Sequence, residues 1–125
     1  MVFGEVVTVV GRYYAMDRDS NWERTEKAYN AIVKGEGDET DDLINSVKKS
    51  YKNGVTDEFI LPLILNTDEN TRIEREDGVI FANFRPDRAR QLTRAIVDKE
   101  FKGFDRGEYL NTKFVCMAQY DIKIE

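Results

Sequence analysis

Val-Val-Thr-Val-Val at 6–10, running into Gly-Arg-Tyr-Tyr-Ala-Met-Asp-Arg-Asp at 11–19 and Ser-Asn-Trp-Glu at 20–23, decides how this chain is read. Five apolar or β-branched residues without alternation are the signature of a strand buried on both faces. Gly11 breaks that run. Ser20 and Glu23 then have the spacing of a capping box, with Ser20 as N-cap and Glu23 at N3. Trp22, Thr25, Ala28, Tyr29, Ile32 and Val33 recur at helical spacing, and Gly35 is a natural stop. The pattern predicts a helix over 21–34.

The rest of the chain extends this alternation. A polar loop is expected at 35–39. Thr40 is the expected cap of a second helix, with Asp41 and Asp42 in its first turn and Leu43, Ile44, Val47 and Tyr51 on one face. Lys48, Lys49 and Lys52 read as a solvated helix end, and Gly54 ends the helix. Residues 59–65 read as a strand, in which Pro62 argues for an edge or a bulge. A charged loop at 66–77 leads to a short buried strand at 78–82. Pro86 suits the first helical position, so a third helix runs from there to about Asp98 with Ala89, Leu92, Ile96 and Thr93 inward. Residues 101–111 are irregular, and 114–120 form a last strand that 121–125 could extend. The order β-α-α-β-β-α-β points to an α/β domain with a mixed, largely parallel sheet and flanking helices. Both chain ends sit close to strands, which gives the chain the look of a piece of something larger.

Bulk properties limit the function classes. The 125 residues suit one domain, 1–125, burying roughly two-thirds of the unfolded chain's surface. A net charge of −5 argues against general nucleic-acid or anionic-membrane binding, which both need a basic face. No run approaches the roughly 18–20 apolar residues of a membrane span. The first residues lack the charged and apolar regions of a signal peptide. The single cysteine, Cys116, lies in an apolar run and reads as a buried, inert thiol. With no histidine at all, a histidine-dependent triad is excluded and only carboxylate oxygens remain as metal ligands. Acidic pairs at 38–42 and at Asp68–Glu69 lie in loops and caps without a partner base, so none is expected to be catalytic.

Arginine placement is the most informative chemical feature. Arg12 follows the first strand, and Arg18 precedes the capping box between Asp17 and Asp19. Arg85 and Arg88 fall at the N-cap and N3 of the helix opened by Pro86, where free N–H groups and a partial positive charge already favour anions. Strand ends are also where open α/β sheets collect ligands. Two readings stand: these arginines bind a small anion, or they pair with structural carboxylates such as Asp87 or Asp105. Asp17 and Asp19 could likewise orient Arg18 or form a solvated charge cluster. Tyr13, Tyr14 and Trp22 read as packing residues. Gly35-Glu-Gly37 lacks the context of a phosphate loop, and no serine has a nucleophile setting.

Gly11–Asp19 with Asn21-Trp-Glu-Arg24, and Asn-Phe-Arg-Pro-Asp-Arg-Ala-Arg-Gln at 83–91, resemble two signatures of cofactor-independent phosphoglycerate mutase. Lys-Ala-Tyr-Asn-Ala at 27–31, Ser-Tyr-Lys-Asn-Gly at 50–54, Gly-Phe-Asp-Arg at 103–106 and Phe-Val-Cys-Met at 114–117 support it in register. The resemblance implies a larger enzyme of two domains. One is phosphatase-like and carries two metal ions, usually manganese, and a serine nucleophile. The other is inserted into it and holds the substrate. This chain resembles the later part of the inserted domain only, without the family's metal-binding histidines. It implies that Arg12, Arg18, Arg85 and Arg88 hold 2- or 3-phosphoglycerate, that the chain's other partner is the rest of the enzyme, and that no cofactor is bound here. It further implies a cytoplasmic glycolytic and gluconeogenic enzyme, with this piece inactive alone. Ala118-Gln-Tyr120 departs from the family pattern. The alternative is a free-standing module that binds small phosphate or carboxylate anions.

Overall fold

The computed structural model describes residues 3–67 and 70–124. Asp68 and Glu69, and the first two residues whose composition argued against a signal peptide, lie outside the described residues, as does Glu125.

The described elements run β1 (Thr8–Val9), α1 (Arg12–Ala15), α2 (Trp22–Tyr29), a π-helical continuation (Asn30–Lys34), β2 (Asp38–Thr40), α3 (Leu43–Lys52), a 3₁₀ turn (Asp57–Phe59), β3 (Leu63–Leu65), β4 (Gly78–Phe81), α4 (Pro86–Val97) and β5 (Lys113–Cys116). The α/β character and the mixed pairing agree with expectation. α1 and β2 are additions to the expected order. The strands form two small sheets, one in the order β1-β3-β2 and one pairing β4 with β5. β2 and β4 run parallel to β3 and β5, while β1 is antiparallel to β3.

Several sequence expectations need correction. The 6–10 run is not buried on both faces: Val6 is 67% exposed, and only Thr8–Val9 pair, as an edge strand. β3 is central rather than an edge. Pro62 is tolerated because it precedes the ladder, and its carbonyl accepts the Asp38 N–H at 2.9 Å. The expected loop at 35–39 contains most of β2, which its polar residues hid. β4 and β5 alternate between exposed and half-buried positions, as a one-sided sheet requires, so 78–82 is not a buried strand. The last strand stops at Cys116, and that cysteine is half-buried rather than buried. Burial raises its thiol pKa, which suits an unreactive group.

Helix ends also differ. Asn21, not Ser20, is the N-cap of α2: the Asn21 carbonyl accepts the Arg24 N–H at 2.9 Å, and Ser20, at φ +61°, lies outside the helix. Asp42, not Thr40, caps α3, its Oδ1 accepting the Asn45 N–H at 3.0 Å. Gly35 closes the π segment with φ +70°, the left-handed conformation that favours glycine.

The main core lies between α2, α4 and the β4–β5 sheet. Tyr29, Leu92, Ala95 and Ile96 form its centre, with Phe81, Phe101, Phe104 and Phe114 packed around them. Burying Leu92 and Ile96 stabilises the fold by roughly 1.5–3 kcal/mol each. Phe104 meets Tyr29 and Phe101 edge-on at 5.4 and 4.9 Å. This packing fixes α4 against α2, and so fixes where the start of α4 meets the segment before α2. The shared face of α3 is not covered in the same way: Ile44 is 69% and Tyr51 48% exposed.

Candidate functional site: an arginine cluster at the start of α4

α4 begins as its sequence requires. Arg85 is the N-cap with extended backbone, and Pro86 takes the first helical position, where its missing N–H is no loss. Arg85 therefore leaves the helix start, and Arg88 lies on its first turn. The segment connecting α1 to α2 crosses this end of α4. Arg88 Nη1 donates to the Met16 carbonyl at 3.0 Å. Arg18 Nη1 donates to Asp87 Oδ2 at 2.8 Å. Arg85 donates to the same carboxylate through Nε to Oδ1 at 2.7 Å and through Nη2 to Oδ2 at 3.0 Å.

Three of the four anticipated arginines, Arg18, Arg85 and Arg88, are thus linked to one corner of the fold. Arg12 has a different partner: on α1, its Nη2 lies 2.8 Å from Glu58 Oε2 in the 3₁₀ turn. Arg85 and Arg12 keep 68% and 52% of their side-chain surface in solvent, and Arg18 keeps 44%. Exposed guanidiniums in partial ion pairs can exchange an internal carboxylate for an incoming anion, and they present two N–H groups in a plane that fits carboxylate or phosphate oxygens. Asp87 is the counter-ion. The hydrogen bond from Arg85, then the one from Arg18, hold its carboxyl well below the usual carboxylate range. The Arg85 guanidinium is raised in turn, chiefly by its bond to Asp87.

Asp17 does not orient Arg18. It is 5% exposed and turns inward. Its carboxylate accepts from the Asn21 N–H at 2.8 Å, the Asn21 side-chain amide at 2.9 Å, the Asp19 N–H at 3.2 Å and Gln91 Nε2 at 2.9 Å. Burial pushes its pKa up, but the bonds from Asn21, Gln91 and Asp19 outweigh it, and the net shift is downward. The expected Ser20 capping box is not formed: Asp17 accepts the N–H of the N-cap residue Asn21, and among the described residues no side chain caps the first turn of α2. Tyr13 packs edge-on against Tyr14 and under the Arg24 guanidinium at 4.0 Å, in line with the packing reading.

Sequence reasoning singled out neither Gln91 nor the bridging role of Asp87 between two arginines. Gln91 carried a legible signal: a polar residue beside Leu92 on the inward face of α4 needs buried partners. Asp87 carried the local part of one, being named as a partner for its neighbours. Its tie to Arg18, across 69 positions, has no sequence pattern.

The chain has no histidine, and among the described residues no group of three or more His, Cys, Asp or Glu could hold a metal ion. Among the described residues no helix is long and apolar enough to cross a membrane.

Comparison with known proteins agrees with the signatures. A family model described as the BPG-independent PGAM N-terminus matches residues 1–122. Relatives named 2,3-bisphosphoglycerate-independent phosphoglycerate mutase include one from Clostridium perfringens (strain SM101 / Type A), 56% identical over 124 residues, and one from Clostridioides difficile (strain 630), 52% identical. Each alignment covers 98% of this chain and 24% of the relative, so the chain spans about a quarter of their length. A solved structure of Leishmania mexicana phosphoglycerate mutase, at low cobalt concentration, superposes with a TM-score of 0.83 at 28% identity over 90% of this chain and 22% of that one. With a family match across nearly its whole length and a fold that superposes on a solved member, the chain belongs to the BPG-independent PGAM N-terminus family.

Proposed function

We propose that this chain is the substrate-holding portion, and the later part of the inserted domain, of a phosphoglycerate mutase that interconverts 3- and 2-phosphoglycerate in glycolysis and gluconeogenesis. The observation that carries the reading is the meeting of Arg18 with Arg85 and Arg88 at the first turn of α4, across some 70 residues of sequence. Arg12, Arg18, Arg85 and Arg88 grip carboxylate and phosphoryl oxygens. Their planar forks fix orientation as well as charge, which an in-line displacement requires. The phosphoryl group passes to a serine outside this chain, breaking its bond to one glycerate hydroxyl, and returns to the other hydroxyl while the arginines hold the glycerate. Two manganese ions, also held outside this chain, serve that transfer in the full-length cytoplasmic enzyme. The 125-residue chain alone is inactive.

A second reading has its own support. Arg12, Arg18, Arg85 and Arg88 each already have a protein partner: Glu58, Asp87, Asp87 and the Met16 carbonyl. On that reading the arginines only brace the fold. An NMR titration of the chain with 3-phosphoglycerate at low salt, beside Arg12→Ala and Arg85→Ala, separates the two. The substrate reading expects saturable shifts centred on 11–18 and 85–88 that both substitutions weaken. Unchanged affinity in destabilised variants favours bracing. Equal response to inorganic phosphate and 3-phosphoglycerate favours a general anion module.

A further inference from the structure

Gln91 lies one turn beyond Arg88 on α4 and is 7% exposed. Its amide is engaged on both sides. Oε1 accepts the Ser20 N–H at 2.8 Å, and Nε2 donates to Asp17 Oδ2 at 2.9 Å and to Thr25 Oγ1 at 3.0 Å. Asp17 and Thr25 are themselves 5% and 1% exposed. Turning the amide over would set its carbonyl against the Asp17 carboxylate, so only one orientation is favourable. A leucine in this position would fill the inward face of α4 without desolvating an amide. What the glutamine adds is direction. It ties α4 to the residues on both sides of Arg18, namely Asp17 and Ser20. The neighbour on the other side of Asp17 is Met16, whose carbonyl takes the Arg88 guanidinium.

We infer that Gln91, acting through Asp17, is a positioning residue that sets the separation of Arg18 from Arg85 and Arg88 for a bound phosphoglycerate. The inference rests on the substrate reading above. The buried node lies under the crossing of the two arginine-bearing segments, where an ångström of slippage would misalign both.

The test uses the full-length enzyme that carries this segment. Gln91→Glu keeps the volume and the acceptor for the Ser20 N–H, but turns a second carboxylate oxygen on Asp17. The expected result is a loss in kcat/KM of about tenfold or more, as for other small displacements of substrate-holding groups. In an Arg88→Ala background the loss should shrink to under about threefold, because a residue that works through the arginines has less left to misplace. Equal fold losses in the two backgrounds, or full kcat/KM in Gln91→Glu, overturn the inference. With Arg88→Ala itself impaired, either result leaves the substrate reading standing. Wild-type turnover in both Arg18→Ala and Arg88→Ala removes the substrate reading and this inference with it. If Gln91→Glu does not fold, Thr25→Val enters the same cycle. It removes one acceptor at nearly constant volume, the expected loss is about threefold, and strict additivity with Arg88→Ala is the overturning result.

Discussion

Asp87 Oδ2 lies 2.8 Å from Arg18 Nη1, although 69 positions separate the two residues, and the same carboxylate is held twice by Arg85. One acid thus yokes two guanidiniums that belong to different signatures. The yoke keeps the two forks together.

This arrangement predicts a particular pH dependence. The folded-state pKa of Asp87 is depressed by Arg85 and Arg18, so its contribution to stability is present above the ordinary carboxylate range. It is lost as the pH falls through the lowered value, in strong acid. The pairs are exposed, so salt screens them and the effect is small. Thermal unfolding of the chain beside Asp87→Asn should show a modest difference at neutral pH and low salt that fades in acid and in high salt. A gap equal at neutral and acid pH would count against it.

Asp17→Ala should be much more damaging than Asp87→Asn. It removes the acceptor of two backbone N–H groups and of the Asn21 side-chain amide in a partly buried region, and leaves the buried Gln91 Nε2 with Thr25 Oγ1 alone. Loss of charge-assisted bonds of this kind destabilises by about 2–3 kcal/mol. Urea unfolding measures it, and a change under about 0.5 kcal/mol, the range of ordinary surface substitutions, would contradict the burial argument.

Gly11→Ala tests the close approach of the first signature to the 3₁₀ turn. Gly11 has no unusual φ, so its need is spatial. A Cβ there would stand 2.5 Å from the Glu58 carbonyl oxygen, 2.7 Å from Ile60 N and 2.9 Å from the Asp57 carbonyl oxygen, all backbone atoms. The Gly11 N–H also donates to the Ile60 carbonyl at 2.8 Å. Relieving the overlap must move the turn that holds Glu58, the partner of Arg12. Destabilisation of about 1–3 kcal/mol is expected, as for other overpacked sites. Unchanged stability by urea unfolding, with unshifted NMR signals at 57–60, would refute it.

Arg106 should resist replacement by lysine. It is 8% exposed, and its guanidinium donates to the Ala95 carbonyl at 2.7 Å, to the Asp98 carbonyl, and to the Lys99 carbonyl at 3.1 Å. It thereby caps the C-terminal end of α4, where positive charge is favoured. An ammonium cannot reproduce that planar fork, so Arg106→Lys should lose about 2 kcal/mol. Full retention of the wild-type melting temperature would sink the claim.

Helix α4 was legible almost to the residue, because Pro86, its capping position and its inward face are all local signals. The strands were not. Val6–Val10 has the composition of a central strand, yet only Thr8–Val9 pair within the described residues, since strand burial depends on partners that composition does not name. β2 went unseen because its Asp38-Glu-Thr40 sequence is polar and it is held by backbone pairing to β3. The four candidate arginines stand out at strand ends, helix starts and the family signatures, although Arg12 pairs with Glu58 rather than with the start of α4. Their partners were less legible: Glu58 and the Met16 carbonyl meet Arg12 and Arg88 through contacts set by tertiary packing, and Gln91 looks unremarkable until its surroundings are seen.

The links Arg18–Asp87, Met16–Arg88 and Asp17–Gln91 close loops of 69, 72 and 74 residues that nest almost inside one another. Loop-closure entropy grows only logarithmically with length, so the first link to form bears nearly all of it and the other two then close over a few residues. The three should therefore assemble together, late, and in a single step with the docking of α2 on α4. Partly folded chains would lack the arginine cluster entirely, so on the proposed function a ligand held by it would act as a folding probe, stabilising the native state by about 2.7 kcal/mol at a hundred times its Kd.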